Sequence, residues 1–215
     1  MIGYEMKSVQ YYQNQRAEMM SFIEGHPSVI LEIGCGEGNF RNNITWENEY
    51  WGVELLPTIA EKARSKLDKV LVGKIESNIA DLPDGYFDLV ICNDVIEHLP
   101  DTVEFLNAIS SKLQMGGQLI GSVPNLRFIQ VFIELYIKRD WKYVNGGILD
   151  STHMKFFTCK SLNRTLNECG WYGKVEPINP QLQKWWKAPL RWIIQLVFGT
   201  DSVYFQIGFN AKRAK

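Results

Sequence analysis

The spacing of hydrophobic and polar positions changes repeatedly along the chain and divides it into short strands and helices. Val29 to Ile33, Tyr50 to Glu54, Val70 to Ile75, Tyr86 to Asn93 and Gln118 to Val123 are short apolar runs. Runs of this kind, rich in β-branched residues, form strands buried on both faces of a parallel sheet. Between them the period lengthens to that of a helix. Pro57 opens a helix with Ile59, Ala63 and Leu67 on one face. Asp101 and Glu104 cap another, with Val103, Leu106, Ile109 and Leu113 inward and Gly116-Gly117 closing it. Within residues 1–27, Ser8 to Ile23 read as an N-terminal helix whose apolar stripe is broken by Arg16. That arginine either snorkels to solvent or reaches a carboxylate. A short helix is expected near Asn39 to Ile44, an apolar one over Phe128 to Lys138, and one capped by Thr158 with Leu162, Leu166 and Cys169 on one side. Trp171 to Ile178 and Val203 to Asn210 supply two further strands. Alternation of this kind predicts one α/β domain over 1–215, built on a mostly parallel sheet.

Composition narrows the partners. A net charge of −1 over 215 residues gives no general attraction for a polyanion and argues against nucleic acid. Four cysteines form no C-x-x-C pair and no metal-type spacing, which suits reduced thiols in a cytoplasmic protein. Met1 to Gln10 has no apolar leader pattern, and no run is long enough to span a bilayer. The segment 179–200 reads as a helical insert that combines Trp185, Trp186 and Trp192 with Lys184, Lys187 and Arg191. Its apolar residues Leu190, Ile193, Ile194, Val197 and Phe198 are expected to pack on the sheet or on a second subunit, which would make a homodimer. The alternative is an interfacial helix over 181–198 that holds the protein at the inner face of a membrane.

The chemistry gathers at the end of the first strand. Gly34, Gly36 and Gly38 follow it at alternate positions, so a ligand can lie against main-chain N–H groups. Dinucleotide turns place their third glycine five positions after the first. Here Asn39 holds that position. Glu54 ends the second strand, where an acidic side chain can accept both hydroxyls of a ribose.

The E-x-G-x-G-x-G pattern from Glu32 to Gly38 resembles the S-adenosylmethionine (SAM) site of class I methyltransferases. Leu82-Pro83-Asp84-Gly85-Tyr86-Phe87-Asp88-Leu89-Val90-Ile91 and Asp94 through Leu99 match two further signatures of that family. Pro124-Asn125, Tyr143, Gly147 through His153 and Phe156-Phe157-Thr158 are similar to methyltransferases of surface-polysaccharide (O-antigen or capsule) assembly. The resemblance runs from about Val29 to Trp171. It implies a doubly wound, seven-stranded, mostly parallel Rossmann-like sheet with an antiparallel last strand, and SAM as cofactor. It assigns the cofactor to Glu32, Gly34, Cys35, Gly36, Glu54, Leu55, Ile75, Glu76, Asn93 and Asp94. Lys74 departs from the family, many of whose members carry an aspartate there for the adenine amino group. Lysine only donates, so Glu76, or Ile75 with the backbone, must take over that contact.

Methyl transfer to a hydroxyl requires alignment and a base. His98 follows the fourth strand and is the first candidate; His153, with Asp150 to orient it, is the second. Glu97, His98, Asp150 and His153 also contain the donors of a metal site, but no local ligand spacing supports one and none is expected. Residues 124–158 are read as an acceptor lid in which Trp141 and Tyr143 offer flat faces to a sugar ring. The expected activity is therefore O-methylation of a sugar or glycan. A small aromatic or quinone-like acceptor is the alternative, and a non-catalytic SAM-binding module, favoured only by Lys74, is the third reading.

Overall fold

The structure, a computed structural model, describes residues 15–214. Much of the helix expected over Ser8 to Ile23 lies outside them. Its described part is a 3-10 helix at Ala17–Phe22 that buries Met19 and Phe22. Five parallel strands follow: β1 (Val29–Ile33), β2 (Glu49–Glu54), β3 (Lys69–Val72), β4 (Phe87–Asn93) and β5 (Leu113–Pro124). Two more, β6 (Trp171–Pro180) and β7 (Tyr204–Arg213), complete one sheet of order β3-β2-β1-β4-β5-β7-β6. β7 runs antiparallel to both its neighbours. This is the doubly wound α/β architecture. Its strand order reverses between β1 and β4, the switch point where a crevice opens beyond the carboxyl ends of the strands.

The apolar runs are nearly continuous because both faces of the sheet are covered. Leu31, Ile33, Val90 and Cys92 point to one buried cluster, while Ile30, Leu89 and Ile91 point to the other with Met19, Phe22 and Tyr50. The helices are α1 (Pro57–Ala63), the single turn α2 (Ile75–Asn78), α3 (Thr102–Ser110), α4 (Ile129–Phe132), α5 (Cys159–Glu168) and α6 (Ala188–Phe198). Asp101 caps α3 by accepting from the Glu104 amide, and Thr158 with Ser161 forms a reciprocal capping box on α5.

Four local expectations are corrected. β3 stops at Val72, and Gly73, at φ 120°, turns the chain so that Ile75 opens α2 instead of extending the strand. In α3 Leu106 and Ile109 face inward as expected and are joined by Thr102 and Phe105, but Val103, in the first turn, faces solvent, and Leu113 lies beyond the helix as the first residue of β5. Gly116-Gly117 lies inside β5. There the pairing with β4 slips from Phe87–Leu113 to Leu89–Gln118, and Gly116, at φ 82°, forms the irregularity. Finally, α6 does not bury its apolar stripe on the sheet: Leu190, Ile193 and Val197 are exposed, and only Ile194 and Phe198 are partly covered. A 3-10 turn at Trp185–Lys187 leads into it.

Candidate active site

The turn after β1 is built around main-chain donors. Gly34 has φ 71°, and a Cβ there would stand 2.8 Å from the Val95 side chain. The Gly34 and Cys35 amides donate to the Val53 carbonyl, tying the turn to β2. The Gly36 amide, at φ 55°, donates to Glu54 Oε2 at 3.0 Å, and the Leu56 amide donates to Oε1 at 3.0 Å. Burial pushes the Glu54 carboxyl up, against the pull of those N–H groups from Leu56, Gly36 and Leu55. Each carboxyl oxygen thus has at least one donor in place and further acceptor capacity.

A cavity of about 480 Å³ opens beside this turn, a size in the usual range for a small ligand of roughly 300–1,000 Å³. One wall comes from β1, β2 and their turns: Glu32, Gly34, Cys35, Gly36, Glu54 and Leu55. A second is the α2 turn, with Lys74, Ile75 and Glu76. The third follows β4, with Asn93 and Asp94. All ten residues that the resemblance assigns to the cofactor therefore border one space. The donor set suits a polar ligand. Both polar atoms of the half-buried Asn93 side chain are shielded from solvent and have no hydrogen-bond partner among the described residues, a cost that a bound group would relieve. Glu32 is raised to about 8 by burial, against the Tyr50 hydroxyl that donates to it at 2.9 Å, with the Glu54 charge adding to the rise.

Asp94 sits at φ 54°, an uncommon angle for a residue with a side chain. Three groups hold it. Arg16 Nη1 pairs with Oδ2, Gln206 Nε2 donates to the two oxygens at 2.8 and 2.9 Å, and Ser122 Oγ donates at 3.2 Å. Arg16 is itself buried and reaches Glu18 and Ser122 as well. It reaches a carboxylate rather than snorkelling. Gln206 and Ser122 carried no signal in the sequence, because both are single polar residues inside apolar strands.

His98 borders the cavity; His153, Asp150, Trp141 and Tyr143 do not. The two imidazoles lie 4.7 Å apart, centroid to centroid. Nδ1 of His98 donates to the Thr152 carbonyl at 3.0 Å, and Nδ1 of His153 donates to the Ile148 carbonyl at 2.9 Å. A carbonyl only accepts, so the proton of each neutral ring sits on Nδ1 and the lone pair on Nε2. Burial lowers His98 to about 4; the Thr152 bond opposes this, and the neighbouring imidazole adds to it. Glu97 is fully buried, and burial pushes its carboxyl well up, with the Asp94 charge acting in the same direction. Its Oε1 is 4.0 Å from His153 Nε2, and neither of its oxygens has a hydrogen bond among the described residues. Glu97, His98 and His153 each present one donor atom within 4.8 Å of the others, close enough to share a cation. Asp150, the fourth residue of the donor group noted in the sequence, is not part of that set. Its Oδ1 accepts from the amide and hydroxyl of Thr152 at 2.9 and 2.7 Å, which shapes the turn that offers the Thr152 carbonyl to His98. His153 is therefore oriented at Nδ1 by a main-chain carbonyl.

The loop after β5 reaches the cavity through Thr152 and Met154. It is fastened there by the Glu97 carbonyl, which accepts from the Met154 and Lys155 amides at 2.8 and 3.0 Å. Trp141 packs instead against Phe156 and the small cluster of Phe128, Val131 and Ile148, and Tyr143 is exposed. Val95, Leu99, Pro100, Thr152 and Met154 are wall residues that the sequence reading passed over. Three of them stand within three positions of His98, inside or next to a motif it had already marked.

Comparison with known proteins agrees with this architecture. A family model described as a methyltransferase domain matches residues 9–173. A probable SAM-dependent methyltransferase of Mycobacterium tuberculosis is 34% identical over 99 residues, 45% of this chain and 35% of that protein. A ubiquinone biosynthesis O-methyltransferase of Aeromonas salmonicida is 29% identical over 147 residues, 63% of this chain and 59% of that protein. The chain thus spans between about a third and three fifths of the length of these curated relatives. A SAM-dependent methyltransferase from Archaeoglobus fulgidus has the same fold, with a TM-score of 0.69 over 96% of this chain and 95% of that one, at 20% identity. A match over so much of the chain, on a sheet of this order, makes it a member of the class I SAM-dependent methyltransferase family, and SAM is the methyl donor that membership implies.

Proposed function

We propose that the protein O-methylates a small hydroxylated aromatic, quinone-like acceptor, with His98 as general base. The observation that carries this reading is the wall around His98: Val95, Leu99, Pro100 and Met154 give it an apolar lining suited to a flat ring. The glycan reading took Trp141 and Tyr143 as faces for a sugar ring, and neither borders the cavity. Relatives named for ubiquinone biosynthesis point the same way.

SAM supplies a methyl carbon made electrophilic by its sulfonium. In this reading Glu54 accepts the ribose hydroxyls, the turn at Gly34 and Gly36 admits the ligand against the backbone, and Ile75 and Glu76 flank the adenine. Asn93 takes a polar group of the cofactor with its unpartnered amide. Nε2 of His98 receives the proton of the acceptor hydroxyl. A base lowered to about 4 is weak, so it suits a hydroxyl of phenolic acidity, near pKa 10, far better than a sugar alcohol.

The test is transfer of labelled methyl from SAM to a panel of catechols, hydroxyquinols, nucleotide-sugars and lipid-linked glycans. Turnover of the aromatic acceptors is expected, and His98→Ala should lower kcat by on the order of 10²–10⁴ with SAM affinity nearly unchanged. Methylation of the sugars alone would overturn the acceptor class. Activity lost in EDTA and restored by a divalent cation would replace the base with a metal held by Glu97, His98 and His153.

A further inference from the structure

The helix α6 is turned inside out. Leu190, Trp192, Ile193, Leu196 and Val197 are 52–69% exposed. At a helical 100° per residue they occupy one arc of roughly 160°. Arg191, Ile194, Gln195 and Phe198 form the half-buried side. A helix facing water would place its polar residues outward. Leu135, Tyr136 and Ile137, at the end of the helical segment that begins with α4, are exposed too. The two segments meet at Phe132 and Phe198, whose ring centroids are 4.5 Å apart. Arg127 fastens the junction by donating to the Phe198 carbonyl and pairing with Asp201 at 2.7 Å. The apolar surface is therefore held on the body of the protein at one end.

Charge identifies the occupant. From Pro177 to Thr200 there is no Asp or Glu, while Lys184, Lys187 and Arg191 stand in and just before α6. In the other segment Glu134 is neutralised by Lys138 at 2.7 Å, and Arg139 and Lys142 follow with Asp140 between them, so the balance there is also basic. Trp186 and Trp192, both exposed, have the amphipathic rings that settle at the boundary between lipid chains and headgroups. A two-fold contact with a second copy would bring these cations against themselves. An anionic bilayer would attract them and take the apolar arc below its headgroups. No described helix is long and apolar enough to cross a membrane, so the contact lies along the surface.

We infer that α6 and the segment Ile129 to Ile137 form a docking face for an anionic phospholipid surface. The inference is independent of the acceptor's identity. It is tested by floating the full chain with vesicles of phosphatidylcholine alone and of phosphatidylcholine mixed with phosphatidylglycerol. Binding to the mixed vesicles, weakened by salt and accompanied by a blue shift of tryptophan emission, is expected. Leu196→Glu and Ile193→Glu should each reduce binding about tenfold or more, leaving the thermal midpoint and SAM affinity unchanged. Lys184→Gln with Lys187→Gln should leave a weaker binding on which salt has less effect, since Arg191 keeps its charge. Absence of binding to either vesicle would overturn the proposal. So would a stable dimer that Leu196→Glu dissociates in a protein that ignores vesicles, since the face would then belong to a second copy.

Discussion

Glu32 and Glu54 end neighbouring strands, and both are buried, yet their surroundings set them different tasks. Glu54 has main-chain donors on each oxygen and stands in the cavity wall, so Glu54→Ala should weaken SAM binding by about 1.5–3 kcal/mol, measured by calorimetry. Glu32 has one phenolic donor, and burial holds it at about 8 against an ordinary 4.5. The folded chain thus keeps a proton there that the unfolded chain releases. That contribution to stability is complete below about pH 4.5 and is lost as pH rises towards 8. The thermal midpoint of the wild type should fall across that window, and Glu32→Gln should remove this part of the slope. His98 has the opposite sign. With its folded value near 4, its contribution is present above about 6.5 and lost as pH falls. In kcat/KM the acid limb belonging to this imidazole should appear near pH 4 instead of 6.5; a limb at 6.5 would show a solvated ring. That these residues border one cavity was legible at this scale because strand ends and glycine spacing are short-range patterns. The orientation of His98 was not, since its partner is a main-chain carbonyl 54 residues away.

At the scale of elements, apolar period located all seven strands but not their ends. Ile75 suits the end of a strand and the first turn of a helix equally, and only Gly73 at positive φ decides between them. Gly116-Gly117 suits a helix cap as well as a strand irregularity. The pairing partner settles that choice, and it lies on β4. The stripe in α6 identified a helix correctly but carried no information on which medium its apolar side meets. The 3-10 helix at Ala17–Phe22 matters because it delivers Arg16 to Asp94. Arg16→Met should cost about 2–4 kcal/mol in chemical denaturation, since it leaves the Asp94 carboxylate with neutral donors alone. Arg16→Lys should recover only part of this, because one ammonium cannot span Asp94, Glu18 and Ser122 together.

For the whole molecule, the antiparallel β7 is what brings Gln206 beside Asp94, 112 positions away in sequence. No local pattern could have announced that contact. The acceptor class stayed illegible for a related reason: it depends on which loop residues turn inward, and Thr152 and Met154 do so while Trp141 and Tyr143 do not. The same loop has a kinetic meaning. The amides of Met154 and Lys155 end on the Glu97 carbonyl, and the next residue along, His98, ends on Thr152. Loop and imidazole are therefore joined by one short set of bonds, which an outward swing of the loop would have to break together. Those two amides should exchange with deuterium as a pair, at the rate of ligand entry, and more slowly once the cavity is filled. On the proposed reading, each opening that admits an acceptor also disarms the base, so the chemistry waits for the door to shut.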